Sequence, residues 1–179
     1  MKKELYYHSI HIHSMLNIVP KILSNELFEM CDDYSNDAIK DKSKLLTNSL
    51  WDPSLVNESS EVFISKLHVK HILYEKITDE IKKHIPFKYK TCRIAFFFWP
   101  KNSYLTWHLD LYRTGAVTIY LNDDWHMNDG GLYLYKNGDI INAVVPEKNL
   151  AVISDYKVFH GTSCVVENKI RRTIQIFLI

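Results

Sequence analysis

The stretch CRIAFFFWP (92–100) divides the chain into two kinds of sequence. It is β-branched and aromatic, with no charge after Arg93, and Pro100, which cannot donate to a sheet ladder, closes it. Downstream, short segments of the same kind recur between turns: AVTIYL (116–121), GLYLY (131–135), DIINAVV (139–145), LAVIS (150–154) and RRTIQIFLI (171–179). Asn137-Gly138 stands between the second and third of these, a pair that favours the tight turn of a hairpin. Four of the five glycines lie between Gly115 and Gly138, so turn chemistry is concentrated here. The pattern predicts an antiparallel sandwich or barrel with helices on one outer face, an α+β chain that is mainly β.

Upstream of residue 92 the pattern is different. Residues 4–13 read as a first strand. Ser24 is a candidate N-cap for a helix from Asn25 to about Tyr34. Residues 35–58 are polar and aperiodic, and read as a surface loop. Ser59-Ser60-Glu61 then opens a run to about His84 in which Val69, Leu73, Ile77 and Ile81 recur every four residues, with Phe63 and Leu67 also four apart. That spacing predicts one long amphipathic helix, although Lys66 and Lys70 fall near its apolar stripe. The expected organisation is one domain over 1–179, with 1–90 as helical support and 91–179 as the β core.

Composition narrows the function classes. The chain has 179 residues, 46% hydrophobic and 24% charged, with a formal net charge of +1. A near-neutral chain carries no general electrostatic attraction to nucleic acid or anionic membrane, so neither is expected as a partner. Cys31, Cys92 and Cys164 are scattered and odd in number, which argues against a disulfide framework or a zinc ribbon. No apolar run approaches the roughly 20 residues that span a bilayer. The start, MKKELYYHSIHIH, has no apolar region of the secretory kind. A cytoplasmic location is expected.

Trp107-His108-Leu109-Asp110 carries the chemistry. Residues i and i+2 of an extended segment face the same side, so His108 and Asp110 can reach one ion. His160 follows 50 residues later, after a predicted strand. Two histidines and a carboxylate form a facial triad that leaves open positions on an octahedral iron. His8, His11 and His13 form a rival cluster without a neighbouring carboxylate, and read as half-exposed strand residues. His68 and His71 read as helix-surface residues, and His126 as part of a polar turn.

With these residues in place, the span from about Arg93 onward resembles the prolyl 4-hydroxylase-like branch of the 2-oxoglutarate/Fe(II) dioxygenases. The resemblance rests on W-H-L-D (107–110), Y-L-N (120–122), D-G-G-L-Y-L-Y (129–135), N-L-A-V-I-S (149–154), F-H-G-T-S (159–163) and R-R-T-I-Q-I-F (171–177), in the family's order and over about half of the chain. It implies a double-stranded β-helix (jelly roll), with Fe(II) on His108, Asp110 and His160. 2-Oxoglutarate and O2 are the implied cosubstrates, and ascorbate is a supporting reductant. It also implies a basic residue in the last strand gripping the far carboxylate of 2-oxoglutarate. Arg171 and Arg172 compete for that place, and alternation favours Arg171: Ile174, Ile176 and Leu178 form one face, and Arg171, Thr173 and Gln175 the polar other. Tyr120 and Thr173 are the further cosubstrate contacts that this reading expects. Trp99 and Arg113 fall where relatives place pocket-wall or substrate-facing residues.

The implied reaction hydroxylates an unactivated C–H bond and releases succinate and CO2. No catalytic side chain is needed beyond the metal and cosubstrate ligands. The expected substrate is a prolyl residue in a protein or peptide, with a free amino acid or small metabolite as the alternative. A non-catalytic jelly-roll binding protein and a cupin-type metal protein are the readings of other classes. Related halogenases lack the carboxylate that Asp110 supplies, which favours hydroxylation. Two departures bear on the substrate. Leu132 follows the Gly-Gly pair where relatives often carry a glutamate, and F-W-P-K-N-S-Y-L-T (98–106) replaces the aromatic-glycine loop of many prolyl hydroxylases.

Overall fold

The structure is a computed structural model and describes residues 14–51, 53–57 and 59–179. The expected strand at 4–13, with His8, His11 and His13, lies outside the described residues.

Two antiparallel sheets face one another. The larger has the order β1 (Leu16–Val19), β9 (Ala151–Asp155), β6 (Gly115–Tyr120), β11 (Arg171–Leu178), β4 (Cys92–Trp99), β3 (Phe63–Lys66) and β2 (Leu46–Thr47). The smaller has the order β5 (Leu105–His108), β10 (His160–Thr162), β7 (Tyr133–Asn137) and β8 (Ile140–Val144). Three helices, α1 (Asn25–Lys40), α2 (Pro53–Asn57) and α3 (Ile72–Lys82), complete the framework. This is the expected jelly roll, with α1 and α3 on one face and α2 beside β5 of the smaller sheet.

Alternation along the large sheet separates two environments. Ile94, Phe96 and Phe98 of β4 and Ile174, Ile176 and Leu178 of β11 point outward, onto Leu27, Phe28 and Cys31 of α1 and Leu73, Ile77 and Ile81 of α3. Each such side chain contributes roughly 1.5–3 kcal/mol by leaving water, which is what fastens the helices to the sheet. Ala95, Phe97 and Trp99 point the other way, between the sheets. One period-two pattern thus builds both the helical layer and the wall of a cleft.

The first half departs from expectation in two places. Helix α1 begins after Ser24, whose Oγ accepts from the Leu27 N–H at 3.3 Å, but runs on to Lys40. Tyr34, Ala38 and Ile39 continue its apolar stripe against the sheet, and that packing outweighs the weak helix propensity of Ser35-Asn36-Asp37. Residues 41–51 and 53–57 hold turns of 3-10 helix, β2 and α2 rather than a plain loop. The long helix over 59–84 is also corrected. Phe63–Lys66 is a strand paired with β4, and helix α3 begins only at Ile72, capped by His71 Nδ1, which accepts from the Leu73 N–H at 3.2 Å. Val62 and Ile64 are buried between the sheets while Phe63 packs on the helical side, an alternation that a helix cannot satisfy. Val69, counted in the helical stripe, is 63% exposed.

Candidate metal centre

His108 ends β5 and His160 opens β10, and the register sets them directly opposite. Their ring centroids lie 4.3 Å apart. Asp110 follows two residues after His108, and ligand-capable atoms of all three residues lie within 4.8 Å of one another. Each imidazole is fixed from behind: His108 Nδ1 sits 2.9 Å from the Thr106 carbonyl, and His160 Nδ1 sits 2.8 Å from that of Val158. A carbonyl only accepts, so the proton belongs on Nδ1 and each Nε2 lone pair is left for an ion. Burial, together with the neighbouring His108, pushes His160 down to about 4, so its ring is neutral near pH 7. Two imidazoles with Nε2 turned toward a common point, oriented by backbone carbonyls, and a carboxylate are the donor set that suits octahedral Fe(II).

The triad opens into a cleft of about 590 Å³ between the sheets. Arg171 stands in the same cleft, 1% exposed. Its guanidinium carbon lies 5.2 Å from the Trp99 ring centroid and 5.1 Å from that of Tyr120. Among the described residues no carboxylate pairs with Arg171, and its Nε has no hydrogen-bond partner. Burial presses its guanidinium below the usual arginine range. Gly131 makes room for it. At φ +61°, a Cβ on that residue would stand 2.6 Å from Arg171 Cδ. Gly130, at φ +73°, lets the chain pass under the Cys164 carbonyl.

The other expected site residues divide by position. Tyr120 and Thr173 are cross-strand partners buried beside Arg171, behind the open cleft rather than on its wall. Trp99 is at this same end, where its Nε1 donates to Thr173 Oγ1 at 3.3 Å. Arg113 is at the other end. Its Nη1 donates to Asp110 Oδ1 at 2.9 Å, and its guanidinium lies over the Phe177 ring at 3.6 Å. Arg172 faces away from the cleft, toward Asp32 and Asn36 of α1. His68 and His71 accept backbone N–H bonds, and His126 caps a short turn.

Sequence reasoning missed three parts of the site. Tyr133 stacks on the His160 ring, with centroids 5.3 Å apart and planes 12° from parallel. Its alternation with Leu134 in GLYLY was the available signal. Thr118 is the second: its Oγ1 donates at 2.9 Å to Oε1 of Gln175, which alternation had already set on the polar face, and both line the cleft wall. Trp51, within the expected loop, packs against Phe97 and Trp99 at the cleft edge.

Comparison with known proteins agrees with this geometry. Residues 92–179 match the family model described as 2OG-Fe(II) oxygenase superfamily, and the chain belongs to that superfamily. No curated protein matches the chain significantly. Among solved structures, it is similar to a Pseudomonas putida prolyl-4-hydroxylase, with TM-score 0.73, 14% identity and 92% of each chain covered. It is also similar to a Trichoplax adhaerens prolyl hydroxylase in complex with a hypoxia inducible factor peptide fragment. There the TM-score is 0.75 and the identity 16%, with 92% of this chain and 83% of that one covered. A third is the non-heme alpha-ketoglutarate-dependent epimerase SnoN from nogalamycin biosynthesis, with TM-score 0.69, 9% identity, and 93% and 78% covered. At such identities the likeness is one of fold. The family implies Fe(II), 2-oxoglutarate and O2, and the chain is an oxygenase of this class. Among the described residues no helix is long and apolar enough to cross a membrane.

Proposed function

We propose that the protein hydroxylates an unactivated C–H bond, with His108, Asp110 and His160 holding Fe(II) and Arg171 gripping the far carboxylate of 2-oxoglutarate. The 179 residues act as one domain, with 1–90 as support and 91–179 carrying the site. The observation that carries this reading is Arg171: a cation buried without a carboxylate partner, in the same cleft as the triad. Burying an unpaired charge is costly, so a cleft built this way suits an anion that reaches from the metal to the guanidinium. The bound iron, with 2-oxoglutarate and O2, supplies the oxidation, which yields succinate, CO2 and a hydroxylated product. The chain's own part is to orient both imidazoles through their Nδ1 contacts, fix the cosubstrate at Arg171 and keep water from the reacting carbon.

The cleft also favours a substrate class. Besides the triad and Arg171, the one charged residue on its wall among the described residues is Arg113, which Asp110 neutralises. A free amino acid would bring an ammonium and a carboxylate into a site with no partner for them. Aromatic walls at Phe97, Phe177 and Trp51 fit an uncharged ring carried on a larger molecule, and a prolyl residue in a peptide is such a group. Three cysteines free of disulfides suit a reducing, cytoplasmic setting.

Anaerobic Fe(II) plus 2-oxoglutarate should give a weak visible charge-transfer band that His108→Ala abolishes. Aerobic turnover with proline-containing peptides should add one oxygen atom, read by mass spectrometry, and free proline should not. A missing band removes the oxygenase site reading. A band without turnover of any candidate favours a binding protein instead.

A further inference from the structure

The two carboxylate oxygens of Asp110 have different neighbours. Oδ2 faces His160 Nε2 at 3.9 Å, inside the triad. Oδ1 accepts a hydrogen bond from Arg113 Nη1 at 2.9 Å. Arg113 is itself held in two ways. Its guanidinium lies 3.6 Å from the Phe177 ring centroid, and its backbone N–H donates to the Asp110 carbonyl at 3.0 Å. The Asp110 side chain is 8% exposed and that of Arg113 34%, so the pair is largely shielded from water. A charge-assisted bond of this kind is stronger than a neutral one, and the ring face adds a cation–π contact.

A carboxylate with both oxygens free can chelate an ion, and chelation takes two coordination positions. We propose that Arg113 is a positioning residue that commits Asp110 to ligation through Oδ2 alone. The triad then occupies three positions of an octahedral ion and leaves three for a bidentate keto acid and O2. The inference rests on the metal-site reading above. It gives Arg113 work distinct from substrate recognition: it guards the number of open positions. It also makes an unusual demand, because removing Arg113 frees Oδ1 of Asp110 to chelate, so the ion is retained while the cosubstrate is displaced.

Arg113→Met keeps an apolar stem over Phe177 and deletes the donor; Arg113→Lys keeps a positive donor. Mn(II) affinity, read by electron paramagnetic resonance, should be retained in Arg113→Met. The 2-oxoglutarate affinity of the Fe(II)-loaded protein, read from the anaerobic charge-transfer band, should fall about tenfold or more. Arg113→Lys should recover part of that loss. An unchanged band and unchanged 2-oxoglutarate affinity in Arg113→Met overturn the proposal. So does a parallel loss of metal affinity, cosubstrate affinity and metal-free melting temperature, which marks a structural role only. Wild-type protein that binds Mn(II) no better than His108→Ala overturns the site reading and this proposal with it, whereas normal wild-type binding with an unresponsive Arg113→Met overturns this proposal alone.

Discussion

Arg172 Nη1 lies 2.7 Å from Asp32 Oδ1 on helix α1, while the residue before it, Arg171, faces the cleft on the opposite side of the same strand. Two adjacent arginines therefore answer to different layers, and their substitutions should separate. Arg172→Ala should lower stability by about 1 kcal/mol, because the pair is partly shielded, and leave cosubstrate binding intact. Arg171→Met should weaken 2-oxoglutarate binding about a hundredfold. It should leave the metal-free protein as stable as before or more so, since it removes an unpaired buried cation. Isothermal titration and thermal melts on both variants check this. The opposite ranking for 2-oxoglutarate overturns the assignment of Arg171.

Gly131 supports Arg171 through the absence of a side chain. Gly131→Ala would place a methyl group 2.6 Å from Arg171 Cδ at a backbone φ of +61°. The strained backbone should cost about 1 kcal/mol or more, and the displaced guanidinium should raise Kd for 2-oxoglutarate. Mn(II) affinity should stay near wild type, because none of the three ligands moves. Equal loss of both affinities would point to general damage.

Acid should destabilise the metal-free protein through His160. Its folded value, about 4, lies below the ordinary 6.5, so the unfolded chain takes up the proton first as pH falls. The stabilising contribution is complete above the ordinary value and is lost as pH falls through the folded one. Over that window it amounts to about 3 kcal/mol. Urea denaturation between about pH 7 and about pH 4.5 should show the loss, and His160→Gln should flatten it. A profile identical in wild type and variant sinks the attribution.

Tyr133 separates packing from hydrogen bonding. Its hydroxyl is buried and makes no hydrogen bond of good geometry among the described residues, and burial raises it well above the usual phenol range. Tyr133→Phe should therefore be close to neutral for stability and for Mn(II) affinity. Tyr133→Ala removes the ring stacked on His160 and should cost roughly 3–5 kcal/mol. Chemical denaturation of the two variants tests the contrast.

The readable parts of the chain were those whose signal is local. Alternation in RRTIQIFLI placed Arg171 on the polar face and Ile174 on the helical one, because period two is a property of the strand alone. The Phe63 region failed for the opposite reason. Apolar spacing by four is shared by one helix and by a strand, a loop and a shorter helix laid end to end. The choice is made by pairing with β4, some 30 residues further on, which no local window contains. Strands β5 and β10, four and three residues long, were too short to announce themselves, though both histidine positions stand on them. The contact of Arg113 with Asp110 was within reach, since i and i+3 meet in a turn. What hid it was the Phe177 ring, which holds the arginine in place from the far end of the chain.

Strand β5 is the outermost member of the smaller sheet, and His108 is its last residue. A border strand is secured on one side only, so it is among the first segments to open while the rest of the molecule stays folded. An ion shared by His108 and His160 would cross-link this border to its neighbour and act as a rivet. Metal escape and amide hydrogen exchange along Leu105–His108 then become two readings of one local opening. Mn(II) release should then track exchange along Leu105–His108 rather than global unfolding, and a release rate that follows the global unfolding rate instead would break that link.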